Sequence, residues 1–216
     1  MRTGLSVIPY VDSLDRIRGL VRLADQTGLD YVGIQDHPYQ ARFLDAFALI
    51  ATLLAETHRI AFFTDVANLP LRPPTIMAKA AATLDIASGG RFELGLGAGA
   101  NWDHIAGVGG PRRSPAEGVD ALEEAIEVIH LMWSQEQRVS FNGHHYRLKG
   151  ARPRFIRLVS GWVPSGPGCS GWSAARQTAG SRLWVRSLAM TSARATGGST
   201  KPRWRRAATL GRYGVS

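Results

Sequence analysis

The sequence predicts an α/β fold built from parallel βα units. Three observations point there. Short apolar runs alternate with longer amphipathic ones four times before residue 153. Turn residues punctuate each change of period. The chemically suggestive residues fall at the C-terminal ends of the apolar runs, the face on which parallel βα folds bind ligands. Such alternation implies parallel strands joined by crossover helices. A doubly wound sheet and half of a (β/α)8 barrel both satisfy it, and periodicity does not separate them.

The elements follow in order. Leu5 to Tyr10 (LSVIPY) is a short apolar run suited to a buried strand. Asp12 or Ser13 can cap the helix after it, where Leu14, Ile17, Val21 and Ala24 recur at helical spacing and Gly28 closes the pattern. Tyr31, Val32 and Ile34 form a second strand that ends in Gln35-Asp36-His37. Asp45 to Thr57 reads as a second helix, and Ile60 to Asn68 as one continuous third strand. After Arg72-Pro73-Pro74, Thr75 to Ala87 makes a third helix. Arg91 to Gly99 is the fourth strand, and Pro115 to Trp133 a long amphipathic helix. Val139 to Leu148 reads as a hairpin with Asn142-Gly143 at its turn.

Composition narrows the function classes. The 216 residues, 44% of them hydrophobic, suit one domain or part of a larger one. No stretch reaches the ~20 apolar residues of a membrane span, and the N-terminus lacks the pattern of a signal peptide. With Cys169 as the one cysteine, no intrachain disulfide is possible, and a cytoplasmic protein is expected. The net charge of +9 would suggest nucleic acid, but its distribution does not. Residues 154–216 hold eleven Arg or Lys and no acid, leaving 15 basic and 17 acidic residues in 1–153. The expected division is therefore a βα body over 1–153 and an irregular basic tail over 154–216. A nucleic-acid-binding protein using that Arg- and Trp-rich tail is one alternative function. An NAD-binding α/β protein is another, disfavoured because Gly95, Gly97 and Gly99 lack the G-x-G-x-x-G spacing.

Three strand ends carry the chemistry: Asp36-His37, the segment Thr64 to Pro74, and Gly90 to Gly99. Singly they are weak. Asp-His often caps a turn, and alternate glycines in a strand mark close packing. Arg72 between prolines can serve the fold by pairing with an acid. His104, His144 and His145 lack metal-like partners, and no metal site is expected.

As an ordered set they resemble the luciferase-like family of flavin- and deazaflavin-dependent oxidoreductases. That pattern has Asp-His after strand 2 and T-x-x-x-x-L-P-x-R-x-P after strand 3, met here by Thr64, Leu69, Pro70, Arg72 and Pro74. It then has S-x-G-R-F-x-L-G-x-G-x-G, met by Ser88, Gly90, Arg91, Phe92, Leu94, Gly95, Gly97 and Gly99. The likeness covers about residues 3–153 and implies the first four βα units of a TIM (β/α)8 barrel. It also implies FMN or coenzyme F420 at the barrel mouth, used for monooxygenation or hydride transfer to a small organic substrate. His37 would be the catalytic residue. Asp36, Asp65, Val66, Asn68, Gly97 and Asn101 would bind cofactor, with a non-prolyl cis peptide near Asp65–Val66. Such proteins are often homo-oligomers, and neither nucleic acid nor membrane is expected as a partner.

The same resemblance makes the tail anomalous. Read one frame over, residues 160–181 permit W-V-G-A-F-G-P-R-M-L-R-L-V-G-R-Q-A-D-G-W-I, which fits the family. Residues from about 154 are therefore expected to be out of frame. Four strands cannot close a barrel, and the phosphate-binding face near strands 7 and 8 would be missing. The chain as written is expected to be poorly folded or inactive. The nucleotide sequence around codon 154 tests this: the alternative frame should run on with family-like codons, and an early stop there would refute it.

Overall fold

A computed structural model describes residues 2–153 and the two strand segments 173–174 and 183–186. Strand β1 (Gly4–Val7) leads through a 3-10 turn to helix α1 (Leu14–Thr27). Then come β2 (Tyr31–Ile34), α2 (Ala46–Glu56) and β3 (Ala61–Thr64). The short β4 (Ala67–Asn68) is followed by α3 (Pro74–Ser88) and β5 (Phe92–Gly97). Beyond it lie α4 (Trp102–Gly107), α5 (Pro115–Met132) and a hairpin of β6 (Val139–Asn142) and β7 (Arg147–Ala151). The last segments are β8 (Ser173–Ala174) and β9 (Leu183–Arg186). The sheet runs β1-β2-β3-β5-β9-β8, all parallel except β8. Its sequential parallel order is that of barrel strands met one after another.

One face of the sheet is covered by helices. In α1, Ile17, Val21 and Ala24 are buried at the spacing that places them on one stripe. They meet Val32, Ile34 and Phe62 in a core shared with Ile50 and Leu53 of α2 and Met77 of α3. Each such side chain contributes ~1.5–3 kcal/mol when removed from water. The opposite face carries Ser6, Tyr31, Gly33 and Phe63, as strand alternation requires. Gly33 is bare because the Phe63 ring crosses it: a Cβ there would sit 2.7 Å from Cζ.

The cap expected from Asp12 or Ser13 does not form, since Ser13 stands at the N-cap of α1 without a side-chain bond to it and the Asp12 carboxylate pairs with Arg42. Asp45 accepts from the Ala48 N–H at the start of α2, and Gly28 ends α1 at a φ of 93°. Ser114 and Glu117 form a reciprocal capping box on α5.

Four further features differ from the sequence reading. The third strand is not continuous but bends between Thr64 and Ala67. There the Thr64 hydroxyl spans the gap in the ladder, donating to the Gly95 carbonyl and accepting from the Gly95 N–H. The hairpin does not turn on two residues, because four (143–146) separate its paired ends. The Glu124 carboxylate, accepting from the N–H groups of His144, His145 and Tyr146, holds the wider loop open. Helix α4 was not foreseen, being too short to show a period. Finally, β9 lies in the segment expected to be irregular. It pairs along Leu94 to Gly97 and covers the β5 edge that the sequence left exposed. Leu183-Trp184-Val185 is a β-prone run too brief for alternation to reveal. The remaining tail, Cys169 and the frame argument lie outside the described residues.

Asp25 ties α1 to the entry of β3. Its carboxylate accepts from the N–H groups of His58, Arg59 and Ile60 at 3.0, 3.0 and 2.7 Å. Burial works to raise its pKa, but those three donors and the Arg59 charge outweigh it, and the group sits below the usual carboxylate range. A carboxylate depressed on folding stabilises fully above its unfolded value of about 3.9, and that stability is lost as pH falls through the folded value. Asp25→Ala is expected to lower the unfolding free energy by about 1–2 kcal/mol in urea titration. Asp25→Asn should flatten the acid limb of stability against pH; an unaltered limb would count against this role.

Candidate active site

The site grows from one buried carboxylate. Asp36 stands two residues past β2 and is 2% exposed. It accepts from the Asn68 N–H at 2.9 Å, and from Nε and Nη2 of Arg72 at 3.2 and 3.1 Å. The same Nη2 reaches Asp45, the cap of α2, at 2.6 Å, and the guanidinium lies 4.7 Å from the Phe47 ring centroid. Arg72 leaves a 3-10 turn, Leu69–Leu71, that contains Pro70, and Pro73 follows it. Pro rings fix φ on both sides and aim the side chain back across the strand end. Burial works against the charge on Arg72, but Asp36 and Asp45 outweigh it and raise its pKa. Burial likewise works to raise Asp45, while Arg72 and the Ala48 N–H pull it below the ordinary value. The ion pair thus clips the end of β2 to the segment after β3.

That segment carries the next residues. The Asp65–Val66 peptide is cis, where the resemblance places such a bond. Asp65 accepts from the Ser6 hydroxyl of β1 at 3.1 Å. Val66 packs on Gly97 so closely that a Cβ at Gly97 would lie 2.5 Å from Val66 Cγ2. Gly99, at a φ of 97°, similarly gives way to Pro70 and Trp102. Asn68 is 6% exposed, and its Oδ1 is buried without a hydrogen-bond partner among the described residues. An acceptor so placed calls for a donor from water or from a ligand.

His37 follows Asp36 in the loop after β2. Its Nδ1 lies 2.9 Å from the Tyr39 hydroxyl, which accepts from Asn101 Nδ2 at 3.0 Å. All seven sequence-predicted residues therefore lie at the C-terminal ends of β2, β3–β4 and β5 or in the loops beyond. Asp36 meets the Asn68 backbone, Val66 meets Gly97, and Tyr39 joins His37 to Asn101. Sequence reasoning missed Tyr39, whose only signal was its place two residues after His37. It placed Thr64 in the motif and Asp45 at a helix start but not their partners Gly95 and Arg72, which are distant in sequence. Asp36 spends its oxygens on Arg72 and Asn68, and the gap over Gly97 is filled by Val66. Both act on the site by shaping it. Among the described residues no group of His, Cys, Asp or Glu could hold a metal ion.

A parallel βα sheet with a polar cluster at its strand ends is an α/β fold with a candidate ligand site there. The chain belongs to the luciferase-like monooxygenase family, whose sequence model matches residues 1–212. It is 37% identical over 134 residues to the F420-dependent glucose-6-phosphate dehydrogenase of Kineococcus radiotolerans, covering 59% of this chain and 39% of that one. In structure it is similar to the FMN-bound oxygenating constituent of 3,6-diketocamphane monooxygenase from Pseudomonas putida. That match has 25% identity and a TM-score of 0.61, covering 68% of this chain and 43% of the other. The F420-dependent tetrahydromethanopterin reductase of Methanopyrus kandleri matches at 26% identity and TM-score 0.59, covering 70% and 45%. The chain thus spans about two fifths of the length of the curated relative it matches.

Two outcomes follow from the packing. Asp36→Ala should cost about 2 kcal/mol of stability, since it leaves the buried Asn68 N–H without its acceptor and Arg72 with Asp45 alone. Gly97→Ala should cost about 1–3 kcal/mol by overpacking, and much less in a Val66→Ala background, where the clashing methyl is gone. Thermal denaturation of the four proteins of that cycle measures the coupling; additive effects would break the Val66–Gly97 link.

Proposed function

We propose that the chain is the ring-binding half of an oxidoreductase that passes hydride between coenzyme F420 and a small organic substrate. The observation that carries this reading is the buried Asn68 Oδ1 that lacks a partner, one residue pair away from His37 through the Asp36–Asn68 hydrogen bond. A flavin or deazaflavin ring has the N–H donors that such an oxygen needs, so the residues present fit the group. When bound, the deazaflavin supplies two-electron hydride chemistry, and the protein supplies position and electrostatics. Asn68 would accept from the ring edge, and Val66 would form the wall behind it. Asp36 and Arg72 would hold both in place. His37 would hold the proton beside the reacting substrate. Asn101 would act through Tyr39. The likeness to an F420-dependent dehydrogenase supports F420 as the first choice.

FMN-dependent monooxygenation is the second reading, favoured by the likeness to the FMN-bound oxygenating constituent. Family membership favours both over the nucleic-acid and NAD-binding alternatives. No described helix is long and apolar enough to cross a membrane, and a cytoplasmic homo-oligomer is the proposed setting.

Equilibrium fluorescence titration separates the cofactors. F420 should bind saturably but weakly, because the phosphate-binding part of the barrel belongs to later strands, and no turnover is expected. Asn68→Ala should weaken F420 binding about tenfold, the worth of roughly one hydrogen bond. Tighter binding of FMN would favour the second reading, and a folded chain that binds neither would sink both.

A further inference from the structure

Asn101 occupies the N-cap position of α4, yet its side chain makes no capping bond. An Asn there ordinarily accepts from the first-turn N–H groups, at a worth of ~1 kcal/mol. Its amide instead donates to the Tyr39 hydroxyl. That hydroxyl has one proton and lies 2.9 Å from His37 Nδ1. The phenol oxygen accepts from Asn101 on one lone pair, and its own proton is free to be donated to Nδ1. A neutral imidazole that accepts at Nδ1 carries its own proton at Nε2. Aromatic contacts hold the ring in place. The His37 centroid lies 5.5 Å from Tyr39 and 6.0 Å from Phe43, and Tyr39 stacks on His104 at 5.6 Å. His37 Nε2 has no hydrogen bond to any described residue.

We propose that Tyr39, oriented by Asn101, is a positioning residue that holds His37 as its Nε2–H tautomer, so that the unengaged nitrogen is a donor and not a lone pair. The inference rests on the reading of His37 as the group beside the substrate. It explains why an Asn at a helix start forgoes its cap: the amide sets the direction of a proton two side chains away. A reversed Asn101 amide would take the phenol proton on its Oδ1 and force the opposite tautomer. The two arrangements therefore give opposite spectra.

The test is two-bond 1H–15N correlation of the histidine-labelled full chain without cofactor. It is run at about pH 8.5, where an ordinary imidazole is neutral. Among the six histidines, His37 is assigned as the ring lost in His37→Gln. The expected wild-type pattern has an unprotonated, acceptor-like Nδ1 and a protonated Nε2. Tyr39→Phe keeps the aromatic stack and removes the hydroxyl, and should bring the two nitrogen shifts towards each other as the tautomers mix. Asn101→Ala alters an exposed residue and should move them the same way by less, which keeps the test decisive if Tyr39→Phe disturbs the loop. A wild-type proton on Nδ1, or an unchanged His37 pattern in both variants, overturns the proposal. F420 titration of the same proteins separates the two readings. Failure of wild-type binding with the expected tautomer defeats the cofactor reading alone, while intact binding with the wrong tautomer defeats this inference alone.

Discussion

The Asp36–Arg72 ion pair is the interaction on which the rest of the site depends. Asp36 ends one strand, Arg72 lies past the next, and Asn68 between them gives its N–H to the same carboxylate. A buried carboxylate without a partner would cost several kcal/mol. With two donors from Arg72 and one from the backbone, it becomes the rivet that sets the distance between β2 and the β3–β4 bend. Asp45 extends the rivet to α2 through the same guanidinium. Strand ends in a parallel sheet are otherwise free to splay, since the ladder stops there. A site that spans three strand ends needs such a clamp before any ligand arrives.

The bend itself is a second consequence. Once Asn68 is pinned to Asp36, residues 65–66 cannot continue the ladder with β5, and the Thr64 hydroxyl bonds both polar groups of Gly95 in their stead. Pairing resumes at Ala67 and Asn68 against Leu96 and Gly97. Val66 turns onto Gly97, which can accept it only without a Cβ. A side chain thus satisfies the polar groups of Gly95 beside the bend, while Asn68 Oδ1 is left without a partner among the described residues.

Local patterns in the sequence were legible and long-range bonds were not. Helix stripes such as Ile17, Val21 and Ala24, and the close of α1 at Gly28, follow from spacing and turn chemistry alone. The site's location at strand ends, and its membership in a family, were legible from Asp36-His37, Thr64 to Pro74 and Gly90 to Gly99 taken in order. The suspicion that Arg72 pairs with an acid was met by two of them. What escaped was every contact between residues some 20 or more positions apart with no repeating signature. Glu124 binding the N–H groups of the hairpin loop is one case. Arg91 is another: part of the family motif, it donates to the carbonyls of Leu54 and Ile60 and so serves the end of α2. Nothing in a linear pattern distinguishes such an arginine from one that touches a ligand. The short elements α4 and β9 escaped for a different reason, because a period needs more residues than they have.

The arrangement of charge bears on what the site can recognise. At its centre one cation is shared by two carboxylates, and at its edge Asp65 accepts from Ser6. Charges so paired offer a ligand little long-range attraction. Among the described residues the amide oxygen of Asn68 is a neutral acceptor without a partner, and the Nε2 of His37 makes no hydrogen bond to them. Neutral donors and acceptors in a water-poor cleft discriminate by direction, because a mispaired partner there costs the full desolvation penalty. That suits a planar heterocycle with donors along one edge far better than it suits a phosphate. The anionic part of such a cofactor then needs cations other than the one already committed to Asp36 and Asp45.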